Sequence, residues 1–129
     1  MARILVIDDD VQVREMLTRS FQRAGYEVMA ARDGNVALKL HSANPANLII
    51  TDIIMPEKEG LETIIEFRRR YQGVKIVAIS GGGKIEADQY LDTAKALGAQ
   101  KTFSKPFDLE ELLESVRGLL GDKGEKPGK

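Results

Sequence analysis

The sequence contains no cysteine, no tryptophan, a single histidine and only 5% aromatic residues. Without cysteine there can be no disulfide, no thiol nucleophile and no thiolate-bound metal, and one histidine excludes a histidine-rich metal site. No apolar run approaches the roughly 18 residues that a membrane-spanning helix needs, and the run at residues 4–7 is too short for a signal peptide. We therefore expect a cytoplasmic protein that does not contact membranes.

An excess of charge of one sign is also lacking. The 19 basic side chains stand against 20 acidic ones, which leaves a formal net charge of -1 and argues against direct nucleic-acid binding. A chain of 129 residues is long enough to bury one core of its own. We expect one domain over residues 1–121, without internal repeats, followed by a flexible polar tail at residues 122–129.

Short apolar, β-branched runs alternate with amphipathic segments along the chain. The short runs predict strands near residues 4–7, 26–31, 48–52, 75–79 and 100–104. Apolar residues at helical spacing predict helices near residues 11–24, 36–41, 61–71, 86–97 and 108–120. Five strands alternating with five helices predict an α/β fold, in which a parallel sheet carries helices on both faces.

Polar side chains stand where the predicted strands end. Because the carboxyl ends of parallel strands lie at one edge of a sheet, five side chains far apart in sequence should converge there: Asp8, Asp9, Asp52, Ser80 and Lys105. Clustered carboxylates repel one another unless a cation neutralises them, and Mg²⁺ prefers such oxygen ligands. Asp52 could then act as a nucleophile on phosphorus, while Lys105 and Ser80 contact the phosphoryl oxygens.

A plainer interpretation of these acids stays open from the residues alone. Asp52 could simply open a turn after its strand, and one member of the triplet at residues 8–10 could cap the following helix. The glycine run at residues 81–83 lacks the spacing of a phosphate-binding loop, so we interpret it as a flexible loop. His41 is interpreted as an ordinary helix residue, and the arginine run at residues 68–70 as a solvated helix face.

The ordered set of motifs resembles one family, the receiver domains of two-component response regulators, over residues 2–120. The resemblance is carried by Asp8-Asp9, Asp52 before Met55-Pro56, Ser80, and Lys105-Pro106-Phe107. It implies a flavodoxin-like, doubly wound (βα)5 three-layer sandwich whose parallel strands have the order 2-1-3-4-5.

The resemblance also implies a role for each matched residue. Asp52 would be the phosphoacceptor for a histidine kinase or a histidine phosphotransfer protein. Asp8, Asp9, Asp52 and the backbone carbonyl of Ile54 would hold Mg²⁺, for which Mn²⁺ could substitute. Lys105 would pair with the phosphoryl group, and its bond to Pro106 would be cis. Ser80 would be the hydroxyl that moves toward the phosphate.

The sequence departs from the family pattern at the switch position. Thr102 stands where many receivers carry an aromatic side chain, and Phe103 should face inward on the opposite side of its strand. Ile54 and Gly82 occupy two positions that tune the phosphoryl lifetime in the family. Neither offers an acid or amide that could position an attacking water, so we expect slow unaided dephosphorylation.

The resemblance leaves the output and the partners open. We expect either a stand-alone receiver with a downstream protein target or a receiver whose output domain is missing, with possible dimerisation through the fourth helix, fifth strand and fifth helix. A degenerate receiver that binds proteins without phosphorylation is the alternative. A hydrolase with an aspartyl nucleophile is disfavoured, because the chain has no obvious specificity pocket, so we do not expect a turnover enzyme.

Overall fold

The computed structural model of the chain describes residues 2–53, 60–80 and 92–121. In order, its elements are β1 (Arg3–Ile7), α1 (Val11–Arg23), β2 (Glu27–Ala31), α2 (Gly34–Ala43), β3 (Leu48–Asp52), α3 (Gly60–Arg70), β4 (Lys75–Ser80), α4 (helical at 92–97), β5 (Lys101–Ser104) and α5 (Leu109–Leu119). Several predictions fall outside the described residues: the Ile54 carbonyl, Met55-Pro56, the glycine loop at 81–83, the start of the fourth helix at residue 86, and the tail at 122–129.

The five strands form one parallel sheet in the order β2-β1-β3-β4-β5. This order confirms the arrangement that the family resemblance implied. Each strand is followed by a helix, as expected for parallel strands, which need a crossover connection. No helix in the described ranges is long and apolar enough to cross a bilayer.

Two hydrophobic clusters cover the two faces of the sheet. On one face Ile49 and Ile76 pack with Phe67 of α3 and with residues of α2 and α4. On the other face Ile50 and Val77 belong to a cluster that includes residues of α1 and α5. The alternation of neighbouring residues between clusters follows from the two-residue period of a strand, and it confirms the three-layer sandwich.

Aspartates begin three of the helices. Asp10 caps α1 by accepting hydrogen bonds from the backbone N–H groups of Gln12 and Val13, at 2.9 and 3.4 Å. Asp33 caps α2 and Asp108 caps α5 in the same manner. Because Asp10 alone caps α1, Asp8 and Asp9 are not needed for that purpose.

His41 is a core residue, which agrees with its interpretation as an ordinary helix residue. The residue is 2% exposed, and its ring packs edge-on against Phe67 and Tyr71. Its Nδ1 accepts a hydrogen bond from the backbone N–H of Ala46 at 3.0 Å, so this nitrogen is unprotonated in the fold. Burial lowers the pKa of His41, which keeps the imidazole neutral.

The interpretation of residues 68–70 as a solvated face was wrong for Arg68. Its guanidinium donates to the carbonyl oxygens of Gln72, Val74 and Gly98, at 2.8, 3.0 and 2.9 Å. Arg68 thus joins the end of α3 to the segments that precede β4 and β5. A charge run in sequence cannot reveal this, because the carbonyl of Gly98 lies 30 residues away.

Candidate functional site

The central strands of the sheet bring Asp8 and Asp52 side by side. Ile7 of β1 is in register with Thr51 of β3, so the residues that follow them, Asp8 and Asp52, emerge together at the carboxyl edge. Both are nearly inaccessible, with exposed fractions of 1% and 6%. Burial of two neighbouring carboxylates is unfavourable unless other groups compensate their charge, which marks this edge as the place to look for function.

Asp9 completes a cluster of three acids with Asp8 and Asp52. One carboxylate oxygen from each lies within 4.8 Å of the others, a spacing that could hold a metal ion. Asp9 is exposed, so the cluster opens to solvent on its side. The structure therefore brings together all three acids that the sequence predicted to converge.

Lys105 reaches the same cluster from the turn between β5 and α5. Its Nζ lies 3.2 Å from Oδ2 of Asp52 and 3.4 Å from Oδ2 of Asp8. The backbone N–H of Lys105 also donates to the carbonyl oxygen of Ser80 at 2.8 Å, which ties this turn to the end of β4. The Lys105–Pro106 peptide bond is cis, as the resemblance implied.

The pKa directions reflect opposing effects of burial and charge. Burial raises the pKa of Asp8, and Asp52 adds to the rise, although the Asp10 N–H and the Lys105 ammonium act against it. Burial alone would lower the pKa of Lys105, but the carboxylates of Asp52 and Asp8 outweigh it and raise that pKa. The ammonium is therefore held in its charged form at this site.

The charge balance of the cluster fits a divalent cation. When all three acids are ionised, one ammonium leaves two negative charges uncompensated at a largely buried site. Carboxylate oxygens are hard ligands, which suit Mg²⁺ and related ions better than softer metals. Asp8, Asp9 and Asp52 could thus hold such an ion.

Ser80 ends β4 at the same edge, but its hydroxyl makes no hydrogen bond to the acids. It follows Ile79, the register partner of Asp52, so strand alternation directs its side chain to the opposite face of the sheet. Its Oγ is fully buried and has no hydrogen-bond partner among the described residues. A buried hydroxyl without a partner is energetically costly.

The fifth strand places Thr102 and Phe103 on opposite faces. Phe103 packs against the cluster on the α1 and α5 face, as its predicted inward orientation required. Thr102 is half-buried and pairs in register with Ala78 of β4. Phe103 therefore lies on the other face of the sheet and does not replace the aromatic side chain that many receivers carry at the position of Thr102.

Two residues near the acids were missed by the sequence interpretation. Arg14 of α1 donates from Nη1 to the carbonyl oxygen of Asp8 at 2.7 Å. Gly60, at the start of α3, packs so closely behind β3 that an added Cβ would lie within 3.0 Å of the backbone of Asp52 and Ile53. A glycine where a helix begins, shortly after a strand that ends in an acid, was the one signal in the sequence that could have indicated this packing.

Comparisons with known proteins agree with the geometry. The family described as the response regulator receiver domain matches residues 4–117. The response regulator MprA of Mycolicibacterium vanbaalenii is 39% identical over 119 residues, which cover 92% of this chain and 50% of that relative. The chain therefore spans about half the length of the curated relatives it matches.

Solved structures show the same similarity. The chemotaxis protein CheY4 of Vibrio cholerae superposes with a TM-score of 0.81 at 33% identity, covering 92% of this chain and 98% of that one. The response regulator TrrA of Thermotoga maritima, solved in complex with Mg²⁺-BeF, has a TM-score of 0.81 at 34% identity, covering 92% and 99%. Because the family match runs from the first strand into the last helix, the protein belongs to the response regulator receiver domains of two-component systems.

Proposed function

We propose that Asp52 accepts a phosphoryl group from a phosphohistidine, carried by a histidine kinase or a histidine phosphotransfer protein. The proposal is supported above all by the convergence of Asp52 with two further acids and the Lys105 ammonium at the edge of the sheet. Burial beside a lysine gives Asp52 both a fixed position and a compensating charge. These are the two requirements of phosphoryl transfer, which depends on positioning and electrostatics.

In the proposed step a carboxylate oxygen of Asp52 attacks phosphorus. A P–O bond forms as the P–N bond to the histidine breaks, and the imidazole leaves with the electron pair of that bond and takes up a proton from solvent. The Lys105 ammonium, already 3.2 Å from Asp52, would pair with the phosphoryl oxygens. The product is an acyl phosphate on Asp52, and no water is consumed in this step.

Asp8, Asp9, Asp52 and the backbone carbonyl of Ile54 would hold Mg²⁺ in this proposal, and Mn²⁺ could replace it. The ion would supply positive charge against the phosphoryl oxygens. Asp8 is fixed by the N–H of Asp10, which donates to its Oδ1 at 2.9 Å, while exposed Asp9 faces the side from which a donor would approach.

The switch would act through Ser80. Its buried Oγ lacks a partner among the described residues, and we propose that it turns to donate a hydrogen bond to the phosphoryl group. Thr102, which the family resemblance identifies as the switch position, pairs with Ala78, two residues before Ser80 on the neighbouring strand. Because threonine has no ring to rotate, movement of the backbone around Ser80 would carry the signal in place of an aromatic rotamer.

The output and the location follow from the same proposal. Since the chain spans half the length of its curated relatives, we propose that it acts on a downstream protein or on an output domain. We further propose that the receiver occupies residues 1–121, that residues 122–129 form its tail, that it can dimerise through α4, β5 and α5, and that it works in the cytoplasm beside its kinase. It would catalyse only its own phosphorylation and a slow dephosphorylation, without turning over other substrates.

Intact-mass analysis after incubation with acetyl phosphate tests the chemistry. We expect one phosphoryl adduct on the wild-type protein in the presence of Mg²⁺ and none in its absence. Asp52→Asn should abolish the adduct, because the amide is not a nucleophile at neutral pH. Asp92→Asn, an equivalent change at an exposed position of α4, is the matched control and should keep the adduct.

The outcomes separate the proposal from its alternative. An adduct that persists in Asp52→Asn would show that another residue is the acceptor. Failure of the wild-type protein both to bind Mg²⁺ and to accept a phosphoryl group, from acetyl phosphate or from candidate kinases, would favour the degenerate receiver that binds proteins without phosphorylation.

A further inference from the structure

Arg14 makes an unusual contact for a residue inside a helix. It lies in α1, yet its guanidinium turns back past the start of the helix, and Nη1 donates to the carbonyl oxygen of Asp8 at 2.7 Å. A hydrogen bond from a charged donor at this distance is short and stronger than a neutral one. The contact is partly buried, so water competes with it less than at an open surface.

The contact completes the attachment of Asp8. Its N–H donates to Ala31 of β2, its Oδ1 accepts from the Asp10 N–H, and its Oδ2 faces the Lys105 ammonium. These contacts leave the carbonyl oxygen of Asp8, which accepts the hydrogen bond from Arg14. The whole residue is thereby held between the sheet and α1.

The same contact acts on Asp9 through the peptide plane. The carbonyl oxygen of Asp8 and the N–H of Asp9 belong to one rigid peptide unit, so a bond to the oxygen also fixes the direction in which Asp9 leaves the strand. Asp9 is the exposed member of the acid cluster, without the burial that positions Asp8 and Asp52. Its position therefore depends on the turn that carries it.

We propose that Arg14 is a positioning residue for the metal site, which holds the Asp8–Asp9 peptide so that the Asp9 carboxylate faces those of Asp8 and Asp52. This inference rests on the metal site of the proposed function. Groups that hydrogen-bond to metal ligands without touching the metal contribute substantially to metal affinity, and their loss typically weakens metal binding by about tenfold to a hundredfold.

Electrostatic repulsion alone would have the opposite effect on Mg²⁺ affinity when Arg14 is removed. A guanidinium near the site repels a divalent cation, so its removal would tighten Mg²⁺ binding if charge were all that mattered. The sign of the change therefore distinguishes positioning from electrostatics. Arg19, an exposed arginine of the same helix, offers a matched control for the loss of one positive charge.

The experiment is a Mg²⁺ titration followed by backbone amide chemical shifts, on the wild-type protein and on Arg14→Met, Arg14→Lys and Arg19→Met. Methionine keeps an unbranched apolar stem and removes every donor, whereas lysine keeps the charge and an ammonium that can still donate to a carbonyl, but without the planar guanidinium. We expect Mg²⁺ affinity to fall about tenfold in Arg14→Met and less in Arg14→Lys. Arg19→Met should remain within about twofold of the wild type.

Unchanged or tighter Mg²⁺ binding by folded Arg14→Met would overturn the inference. If that variant did not fold, the wild-type protein would decide, because Mg²⁺ should shift the Arg14 guanidinium signal together with the Asp9 amide; a guanidinium signal that stays unchanged would refute the coupling. A wild-type protein that binds no Mg²⁺ would instead refute the metal site of the proposed function, and this inference with it.

Discussion

The close packing of Gly60 against the end of β3 provides a sharp test of how the fold supports Asp52. Gly60 is buried, and its N–H donates to the carbonyl oxygen of Ile53 at 3.2 Å. In Gly60→Ala the new Cβ would lie within 3.0 Å of the carbonyl group of Asp52 and of Cα of Ile53, which are backbone atoms that cannot rotate away. Either α3 or the end of β3 must move by roughly the deficit in contact distance, about 1 Å.

The energetic cost follows from that overlap. Forcing an extra methyl group into packed surroundings typically costs about 1–3 kcal/mol, and rigid backbone neighbours place Gly60→Ala toward the upper value. We expect its urea midpoint to fall by roughly 1 M, for a typical dependence on denaturant. Phosphorylation by acetyl phosphate should slow as well, because a displacement of about 1 Å is enough to disturb a positioned nucleophile.

Gly118→Ala is the matched control in the same protein. Gly118 lies exposed in α5, and an added Cβ would meet nothing within 4 Å. Alanine should stabilise this helix by about 0.5 kcal/mol, because glycine loses more conformational entropy on folding. Equal stability and equal phosphorylation rates for Gly60→Ala and the wild type would refute the packing argument.

Three further predictions concern charge and burial. Because burial and Asp52 raise the pKa of Asp8 above its ordinary 3.8, folding favours the protonated acid, and stability is lost as the pH rises through the raised pKa. Asp8→Asn should therefore have a higher urea midpoint than the metal-free wild type at neutral pH, and this advantage should vanish below pH 3.8. Burial lowers the pKa of His41, so its contribution to stability is complete above pH 6.5 and is lost as the pH falls toward the lowered value. Urea unfolding should show this loss of stability at acid pH in the wild type and not in His41→Leu. That substitution should lower the free energy of unfolding by about 1–3 kcal/mol at neutral pH, because it leaves the buried N–H of Ala46 without its acceptor. Arg68→Met should lower the free energy of unfolding by about 2 kcal/mol through its lost hydrogen bonds to backbone carbonyls, whereas exposed Arg69→Met should change it by less than about 0.5 kcal/mol.

The strands and most helices could be predicted because their patterns are local. A run such as residues 48–51, in which a leucine and two isoleucines are followed by a β-branched threonine, predicts a strand buried on both faces wherever it lies in a fold. The helix near residues 36–41 could likewise be predicted from local spacing, although α2 begins earlier, at Gly34, because Asp33 caps it by accepting from the Val36 N–H. The strand order came from the resemblance, because strand periodicity does not say which strands are neighbours.

The contacts that could not be predicted join residues distant in sequence. Arg68 looked like a solvated residue because two more arginines follow it in sequence, but its partners lie in turns brought beside α3 by the sheet order. Gly60 begins α3, as the sequence suggested, but its close packing against β3 could not be predicted, because that contact depends on the approach of two backbones. Such distances depend on tertiary packing, and a linear pattern does not contain them.

The sequence by itself determined which side chains leave the carboxyl ends of the strands, since hydrophobic runs and their polar ends are local properties of the chain. Tertiary structure alone decided how these side chains meet. Only the folded sheet brings Lys105 within 3.4 Å of Asp8, across 97 residues, and buries the Ser80 hydroxyl without a hydrogen-bond partner among the described residues. The reason is physical: hydrogen bonds and charge interactions act over a few ångströms, and the register of non-consecutive strands sets those distances.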